Sequence, residues 1–337
     1  MIFGGVSVKS TSKPGRGLRR CAVALAAAAA MIAPLACSSN GSDGDAASGE
    51  TVSIEHVRGT TEITGTPERV VALGTQWLDT VQSLGVQPVG YLDTIAPLNG
   101  GKAAPWEPAE LEKSKALSAQ GDIVEQVAAL NPDLILAPGY GIDEKAYEKL
   151  TQLAPTVGAL TASSVDPWDQ LVTTAGKAMG KQDKAKEVVD EVNGKIDALG
   201  QRLPGLKGKT FITSMMFSPT QIMALADPKD GSSALFLRLG MVAPQPLVDE
   251  AAKSGGRIAL SPERVGDLQS DLLIAAAAAG MEEQYKALPG YSTLPAVQKG
   301  SVAFVDTATI SGINTPTVLA IPYVLEKLEP AFANAAK

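Results

Sequence analysis

The sequence predicts an α/β protein with two lobes, a single long α-helix that joins them, and a cleft between them. Three observations lead to this fold class. A chain of 337 residues exceeds the length that one hydrophobic core usually serves. Strand-like apolar runs alternate with amphipathic helical stretches on both sides of residues 182–203. A pattern in the first half of the chain also recurs in the second half at a constant offset.

The long helix is expected from Gln182 to Leu203. Its apolar residues recur at steps of one, three and four, which places them on one face, while charged residues occupy the other. Asp183 can cap its start, and Pro204 with Gly205 ends it. At a rise of about 1.5 Å per residue, some twenty residues span about 30 Å, the width of a small domain. The apolar face comprises Val188, Val189, Val192, Ile196, Leu199 and Leu203.

Residues 52–165 are expected to form the first lobe, and residues 166–204 the connecting helices. The strand-like stretches of this lobe are continuous apolar runs rather than alternating ones, which indicates a parallel sheet covered on both faces. A short hairpin precedes the sheet, and helices separate its strands. The predicted strands are residues 52–56 and 61–63 for the hairpin, followed by 69–73, 89–91, 133–137 and 155–157.

Residues 205–337 are expected to form the second lobe, in which the same pattern resumes. A closing helix is predicted from Pro316 to Leu328, with Thr315 as its cap and proline in the first turn, which tolerates it. Pro322 should kink this helix or delay its start. The predicted strands of the lobe are residues 210–215, 271–278 and 301–305.

The repeat consists of a short helix that opens with glutamate and the core strand that follows it. Val124-Glu125-Gln126-Val127 precedes the strand at 133–137, and Pro262-Glu263-Arg264-Val265 precedes the strand at 271–275. The two copies are 138 residues apart. The lobes are therefore expected to be related by a pseudo-twofold axis near the long helix.

Residues 1–36 have the pattern of an export signal, with basic residues followed by an apolar run at 22–36. That run is shorter than the ~20 residues that cross a bilayer. Pro34-Leu35-Ala36-Cys37 then resembles the lipobox of bacterial lipoproteins, which predicts lipidation of Cys37 and a flexible tether over residues 37–51. The alternative is a plain signal peptide with an incidental cysteine.

Composition argues against several classes of function. The formal charge is −7 and no basic patch lies beyond residue 20, which disfavours nucleic acid as a partner. An enzyme is not expected, because the one histidine, His56, lies far along the chain from any candidate nucleophile. A site for a bare metal ion needs several converging histidines or carboxylates, whereas the sequence has only His56, on the first predicted strand, and a lone histidine there is more often an ordinary strand residue than a ligand. No catalytic residue, metal ligand or cofactor is therefore predicted.

Five stretches of the chain, in the same order, resemble the substrate-binding proteins of iron–siderophore ABC importers. This group has two Rossmann-like lobes joined by a single long helix, with the ligand cleft between them. The resemblance implies an exported protein, held by its lipid on the outer face of the cytoplasmic membrane, that docks onto an ABC permease with a cytoplasmic ATPase. We expect a monomer. The stretches are residues 67–74, 127–136, 153–157, 167–168 and 294–297.

The resemblance also implies two docking glutamates, one at the start of a short helix in each lobe, that contact arginines of the permease. Glu125 and Glu263 match these positions. The alternative is that each glutamate merely complements a helix dipole, which is worth about 0.3–1 kcal/mol. Recurrence of the glutamate in both halves favours docking.

A ligand between two α/β lobes should contact the loops at the carboxyl ends of their strands. Some of the residues selected in this way have alternatives. Trp77 can instead be a core residue, and Arg238 can face solvent. Met215 and Met216 are adjacent on a strand and point in opposite directions, and we expect Met216 to face the cleft. The full set is Trp77, Trp106, Tyr140, Met216, Phe217, Arg238, Arg257, Tyr291 and Asn314.

The expected ligand is an Fe(III)–siderophore complex. Aromatic and methionine side chains suit its apolar linkers, one or two donors suit the oxygens around the iron, and no side chain need ligate the metal. The scarcity of arginine in the predicted cleft favours a hydroxamate-type chelate over a trianionic catecholate. Haem or a corrinoid is the alternative ligand, because such sites also use aromatic walls.

Overall fold

The computed structural model describes residues 50–108, 111 and 113–337. The predicted export signal and Cys37 lie outside these residues. The described part of the chain contains a hairpin and two five-stranded sheets, one sheet in each lobe, with helices on their faces.

The first lobe contains the hairpin and a fully parallel sheet. In strand order the sheet runs β5-β4-β3-β6-β7. The hairpin consists of β1 (Thr51–His56) and β2 (Gly59–Thr64), the sheet of β3 (Val70–Leu73), β4 (Gly90–Leu92), β5 (Lys115–Ala116), β6 (Leu134–Leu136) and β7 (Thr156–Val157), and the helices are α1 (Thr75–Ser83), α2 (Ile123–Ala128) and α3 (Glu144–Thr151). The hairpin and the parallel sheet agree with the sequence prediction.

Two helices, α4 (Trp168–Ala178) and α5 (Gln182–Arg202), connect the lobes. The long helix α5 ends one residue before the predicted boundary. Asp183 does not cap it, because the cap position is Lys181 and Asp183 lies within the first turn, where its charge favours the helix dipole. The face of α5 that packs against α4 and α11 is formed by Ala185, Val188, Val192, Ile196 and Leu199.

The second lobe contains a mixed sheet in the order β10-β9-β8-β11-β12. Strands β8, β11 and β12 are parallel, whereas β9 is antiparallel to both β8 and β10. The strands are β8 (Phe211–Ser218), β9 (Gln221–Leu225), β10 (Arg257–Leu260), β11 (Leu272–Ala277) and β12 (Val302–Phe304), and the helices are α6 (Ala234–Arg238), α7 (Gln245–Ala251), α8 (Glu282–Lys286), α9 (Pro295–Gln298), α10 (Thr307–Asn314) and α11 (Ala320–Ala335).

Two features of the second lobe differ from the sequence prediction. The β8–β9 hairpin was not predicted, because its two-residue connection Pro219-Thr220 lacks the Asn-Gly type of signal that marks such turns. The closing helix was expected from Pro316, yet α11 begins at Ala320 and its cap position is Leu319, so Thr315 does not cap it. Thr317 Oγ1 accepts a hydrogen bond from the N–H of Ala320, the first residue of α11, at 2.9 Å.

The predicted repeat corresponds to equivalent positions in the two sheets. Strands β6 and β11 are both fourth in strand order, and each follows a short helix, α2 in the first lobe and the 3-10 helix Pro262–Asp267 in the second. Asp133 and Asp271, 138 residues apart, perform the same task. Asp133 accepts the N–H of Arg69 at 2.8 Å, and Asp271 accepts the N–H of Thr210 at 3.0 Å. Each aspartate thus ties its strand to the neighbouring one.

The Asp271 carboxylate is also an electrostatic anchor. Partial burial acts to raise its pKa, but hydrogen bonds from Thr210 and Lys299 and the charge of Lys209 outweigh burial and lower the pKa to about 2. Asp271 therefore remains ionised throughout the pH range in which the protein would operate, and it continues to hold the β8–β11 pair.

We expect Gly176→Ala to destabilise the protein. In α4 a Cβ at Gly176 would lie 2.4 Å from the Ala185 Cβ of α5, so the two helices would have to separate. The free energy of unfolding should fall by about 1–3 kcal/mol, as for other overpacked sites. Chemical denaturation of the mature domain measures this change.

The matched control for this substitution is Gly194→Ala on the exposed face of α5. A Cβ at Gly194 would have no atom within 4 Å. The same glycine-to-alanine change should therefore stabilise the protein by about 0.5–1 kcal/mol, because alanine is the better helix former. Equal effects at the two positions would contradict close packing of α4 on α5.

Candidate ligand-binding site

A cavity of about 480 Å³ lies between the two lobes, within the size range of small-molecule sites. Both lobes contribute to its lining. The first lobe supplies Thr94, Ile95, Leu98, Tyr140, Ser164 and Val165. The second lobe supplies Met215, Phe217, Arg257, Thr307, Ile310, Ser311, Asn314 and Thr315.

The carboxyl ends of the parallel strands position most of these side chains. Residues 94–98 follow β4 and Tyr140 follows β6, while Met215 and Phe217 lie near the end of β8. Helix α10, which follows β12, supplies Ile310, Ser311 and Asn314. Because the carboxyl ends of parallel strands meet at one edge of a sheet, two facing sheets bring their loops together in the cleft.

Four of the predicted site residues line this cavity: Tyr140, Phe217, Arg257 and Asn314. Whether they contact a ligand stays a prediction. Phe217 is 52% exposed, and from the first lobe Leu98 is 60% exposed, so each lobe presents a large apolar side chain to the cavity. Such exposed apolar groups in a concave site favour binding of an apolar surface.

The cavity has one charged group and one unsatisfied polar atom. Of the described residues that line it, Arg257 alone is charged at neutral pH, and its Nη1 lies 3.8 Å from Asp230 Oδ2. The Arg257 charge reaches Tyr140 in the other lobe: burial raises the pKa of Tyr140, while a hydrogen bond with Thr94 and the Arg257 charge act in the opposite direction. Asn314 Oδ1 is buried without a hydrogen-bond partner among the described residues, and a ligand donor could satisfy it.

The other five predicted residues do not line the cavity. Met216 is fully buried in the core of the second lobe, and its neighbour Met215 faces the cleft, so the choice between the two methionines was wrong. Tyr291 packs in the same core against Tyr285, with ring centroids 5.7 Å apart. Trp77 is 1% exposed and belongs to the largest hydrophobic core, which is the alternative considered for it.

Arg238 and Trp106 have partners elsewhere. Arg238 forms a two-pronged salt bridge with Asp197, at 2.8 and 2.7 Å, and so ties α6 to α5 on the surface. Trp106 contacts the second lobe instead of the cavity. Its ring lies 5.5 Å from the Tyr323 ring, and a Cβ at Gly312 would be 2.6 Å from it. Both residues therefore stabilise the arrangement of elements and do not line the cavity.

Several lining residues were missed by the sequence prediction. Ile95 and Leu98 follow β4, and applying the strand-end rule to β4 as well as to its neighbours would have selected them. Asn314 was selected as a residue of a loop at a strand end, whereas it belongs to helix α10. Ser164 and Val165 lie in the segment between β7 and α4, for which the sequence gives no periodic signal.

A buried polar junction joins the lobes beside the cavity. Asp79 on α1 accepts hydrogen bonds from Trp106 Nε1 at 2.9 Å and from Thr317 Oγ1. One turn earlier, the Gln76 side-chain amide donates to the carbonyls of Asp166 and Pro316, at 3.1 and 2.9 Å. Helix α1 of the first lobe is thus bonded to the segment between α10 and α11 of the second.

Among the residues that the structure describes, none is a cationic partner for the Asp79 carboxyl group. Burial raises its pKa to about 7, although the hydrogen bonds from Thr317 and Trp106 act to lower it. The nearby charges of Glu107 and Asp93 add to the rise. Burial and the charge of Asp93 also raise the pKa of Glu107.

The two predicted docking glutamates are exposed, one in each lobe. Glu125 lies in the first turn of α2, whose cap Asp122 accepts the N–H groups of Val124 and Glu125. Glu263 lies in the first turn of the 3-10 helix Pro262–Asp267.

Residues 50–108, 111 and 113–337 contain no group of three or more His, Cys, Asp or Glu side chains arranged to hold a metal ion. The single histidine, His56, lies on β1, where its Nε2 is 2.9 Å from Thr61 Oγ1. None of the helices within these residues has the length and apolar character needed to span a bilayer.

Two α/β lobes on one long helix, with a cavity between them, define the class of two-lobed ligand-binding proteins. The sequence matches the family model for periplasmic binding proteins over residues 60–309. The chain belongs to this family, whose members are substrate-binding components of ABC transporters and not enzymes.

Two curated relatives come from Bacillus subtilis (strain 168). The Fe(3+)-citrate-binding protein YfmC is 26% identical over 281 residues, which cover 80% of this chain and 83% of that protein. The iron(3+)-hydroxamate-binding protein FhuD is 30% identical over 255 residues, which cover 73% of this chain and 76% of that protein. Among solved structures, PiaA of Streptococcus pneumoniae TIGR4 in complex with ferrichrome has the same fold, with a TM-score of 0.71 and 22% identity over 85% of this chain and 98% of PiaA.

We expect Asp79→Asn to remove a pH-dependent term from stability. The folded-state pKa of about 7 lies above the ordinary value of 3.8, so the folded state binds the proton more tightly. Protonation of Asp79 therefore adds at most about 4 kcal/mol to the free energy of unfolding. This stabilisation is fully present below pH 4 and is lost as the pH rises through 7. Unfolding free energies measured between pH 4 and 8 should therefore fall more steeply for the natural protein than for the variant.

A surface carboxylate provides the control for Asp79. Asp190→Asn on the exposed face of α5 removes the same charge, and it should leave the pH slope of the natural protein unchanged. Asparagine resembles the protonated carboxyl group in shape and can keep the bonds to Trp106 and Thr317. An unchanged slope in Asp79→Asn would show that Asp79 does not titrate in this range.

Proposed function

We propose that this protein is the extracytoplasmic substrate-binding component of an ABC importer for a ferric siderophore, with a hydroxamate-type chelate as the favoured ligand. The observation that carries the proposal is the cavity between the lobes. Its walls combine exposed apolar side chains with hydroxyl groups and one guanidinium, and they come from both lobes. A ligand seated there would bridge the lobes and favour their closed arrangement.

The chemistry of the lining matches the surface of a ferric chelate. The apolar arms of a siderophore can pack against Ile95, Leu98 and Phe217. The oxygens around the iron can accept hydrogen bonds from hydroxyl groups and from Arg257. The names of two relatives, one for Fe(3+)-citrate and one for iron(3+)-hydroxamate, also support a ferric chelate as the class of ligand.

The charge of the lining supports the hydroxamate within that class. A trianionic catecholate or a citrate complex needs several cations to offset the cost of leaving water. The cavity offers a single guanidinium, whose charge is partly compensated by Asp230. A ferric trihydroxamate core is neutral and carries no such cost.

Delivery would use the exposed faces of both lobes. Glu125 and Glu263 lie at the starts of equivalent short helices, so closure of the lobes would set the spacing between them. Cys37, with its lipid, would hold the protein near the permease at the outer face of the cytoplasmic membrane. The rigid helix α5 would limit how far the lobes separate.

A ligand panel tests the proposed class of ligand. Purified mature protein, titrated with ferric hydroxamate, catecholate and citrate complexes, should show tryptophan quenching, with affinity for the hydroxamate at least about tenfold higher than for citrate, equivalent to about 1.4 kcal/mol. Haem and cobalamin complete the panel. Quenching by one of these and by none of the ferric chelates would overturn the proposal.

A matched pair of variants shows whether binding occurs in the cavity. Phe217→Ala removes an exposed apolar group of the lining, and it should weaken chelate binding by about fivefold or more. Leu153→Ala removes another exposed apolar group, 38% exposed, which lies outside the lining. Leu153→Ala should leave the affinity unchanged, and an equal loss in both variants would place the ligand elsewhere.

Charge reversal tests the docking glutamates. The double variant Glu125→Lys with Glu263→Lys should retain the chelate affinity of the natural protein, because neither residue lines the cavity. Uptake of the ferric chelate by cells that depend on this protein should fall about tenfold or more, since the reversed charges would repel the permease arginines.

The control for docking reverses two other exposed glutamates, Glu187 and Glu191 on α5. This variant has the same change in net charge and should support normal uptake. Loss of chelate binding in the docking variant, or equal loss of uptake in the control, would contradict the assignment.

A further inference from the structure

The cationic residue of the cavity has a buried anionic neighbour. Asp230 Oδ2 lies 3.8 Å from Arg257 Nη1, and the Asp230 side chain is 4% exposed, against 32% for Arg257. Asp230 itself does not line the cavity. At this distance the carboxylate offsets the charge of the guanidinium without forming a hydrogen bond to it. The Arg257 donors therefore stay available to a ligand, while the net charge at the site is close to zero.

The fold holds Asp230 firmly at this position. Its Oδ1 accepts the N–H of Ser232 at 3.0 Å, and the N–H of Gly231 donates to the carbonyl of Val165 in the other lobe at 3.0 Å. The backbone at Gly231 also packs closely against the backbone at Asp166, because a Cβ at Gly231 would lie 2.5 Å from the Asp166 carbonyl oxygen. The loop cannot withdraw the carboxylate from Arg257 without breaking its contact with the first lobe.

The position of Arg257 is fixed from the other side. Gly255 and Gly256 precede Arg257 with φ angles of +68° and +85°, a backbone conformation that residues with a side chain rarely adopt. A Cβ at Gly256 would lie 2.9 Å from the Asp227 Cβ, so the turn is closely packed against the loop that carries Asp230. The two charged groups are thus held opposite each other by backbone geometry on both sides.

We propose that Asp230 sets the charge preference of this site: it compensates Arg257, so the cleft selects a ferric chelate without net negative charge. This inference rests on the proposed function. Arg257 then acts as a hydrogen-bond donor to chelate oxygens, and not as the counterion of an anionic ligand. The remaining recognition comes from apolar contacts and from hydrogen bonds with hydroxyl groups. Neither of these interactions depends on the net charge of the ligand.

The test is a change of ligand preference in Asp230→Asn. The variant keeps the shape of the side chain and can keep the bond to Ser232, but it leaves Arg257 uncompensated. Affinities for a neutral ferric trihydroxamate and a trianionic ferric tricatecholate are measured by fluorescence quenching. The preference for the neutral chelate should fall by about tenfold or more, mainly because the trianion binds more tightly. The affinity of the neutral chelate should change by less than about threefold.

Two further variants separate the role of Asp230 from general charge effects. Asp227→Asn removes a carboxylate from the same loop, one that accepts the Lys229 N–H at 2.8 Å. Within the described part of the chain, Arg257 forms its salt bridge with Asp230 and not with Asp227. The preference of Asp227→Asn for the neutral chelate over the trianion should equal that of the natural protein. Adding Arg257→Gln to Asp230→Asn should restore the natural preference, because the uncompensated cation is then absent. The inference fails if Asp227→Asn shifts the preference as much as Asp230→Asn does.

A measurement on the natural protein needs no variant. If Asp230 compensates Arg257, the affinity for the trianionic chelate should change by less than about threefold between 0.05 and 0.5 M salt, because no net site charge is left to screen. A steep decrease in affinity with salt would show that Arg257 acts as a bare cation, and would overturn the inference.

The outcomes also distinguish this inference from the proposed function. Tighter binding of the tricatecholate than of the trihydroxamate by the natural protein would overturn the role of Asp230 and leave a ferric chelate as the ligand. Binding of neither chelate would overturn the proposed function, and this inference with it.

Discussion

The buried polar junction between α1 and the segment before α11 fixes how the two lobes meet. Gln76 and Asp79 lie one turn apart on α1, and both bond to residues 316–317 of the other lobe. These side chains are almost fully buried, so separation of the lobes at this point would leave polar groups unpaired. Each such group costs about 1–3 kcal/mol when it has no partner. The junction therefore holds the lobes in the arrangement that encloses the cavity.

The junction also positions one wall of the cavity. Residues 316–317 connect α10 to α11, and α10 carries Ile310, Ser311 and Asn314 into the lining. Trp106 reinforces this contact, since it bonds to Asp79 and packs against Gly312 on α10. A proton on Asp79 would change the charge of the junction without removing its hydrogen-bond acceptors, because one oxygen accepts both bonds.

The lining of the cavity offers apolar surface and hydrogen-bonding groups, with one charged side chain, Arg257, among its described residues. The pairing of Arg257 with Asp230 leaves little net charge, so long-range attraction contributes less to binding than close contact does. A ligand held by contact with both lobes would lose part of these contacts if the lobes moved apart.

The sequence by itself determined the long helix, most strands of the first lobe and some of the segments that line the cavity. Periodicity specified the long helix to within one residue, and the 138-residue repeat specified two equivalent strands, because each of these signals is local. Alternation showed that Met215 and Met216 face opposite ways, but only packing of β8 on the second-lobe core decided that Met215 faces the cleft.

The tertiary structure alone decided which side chains meet across long separations in sequence. Arg238 forms a salt bridge with Asp197, and Asp79 accepts a hydrogen bond from Thr317, 238 positions later in the chain. A periodic pattern tells which face of an element is buried, but it contains no information about which distant residue lies opposite. Which distant residues lie opposite each other depends on how whole helices and sheets pack. For this reason five of the predicted site residues lie in the core or in surface contacts and do not line the cavity.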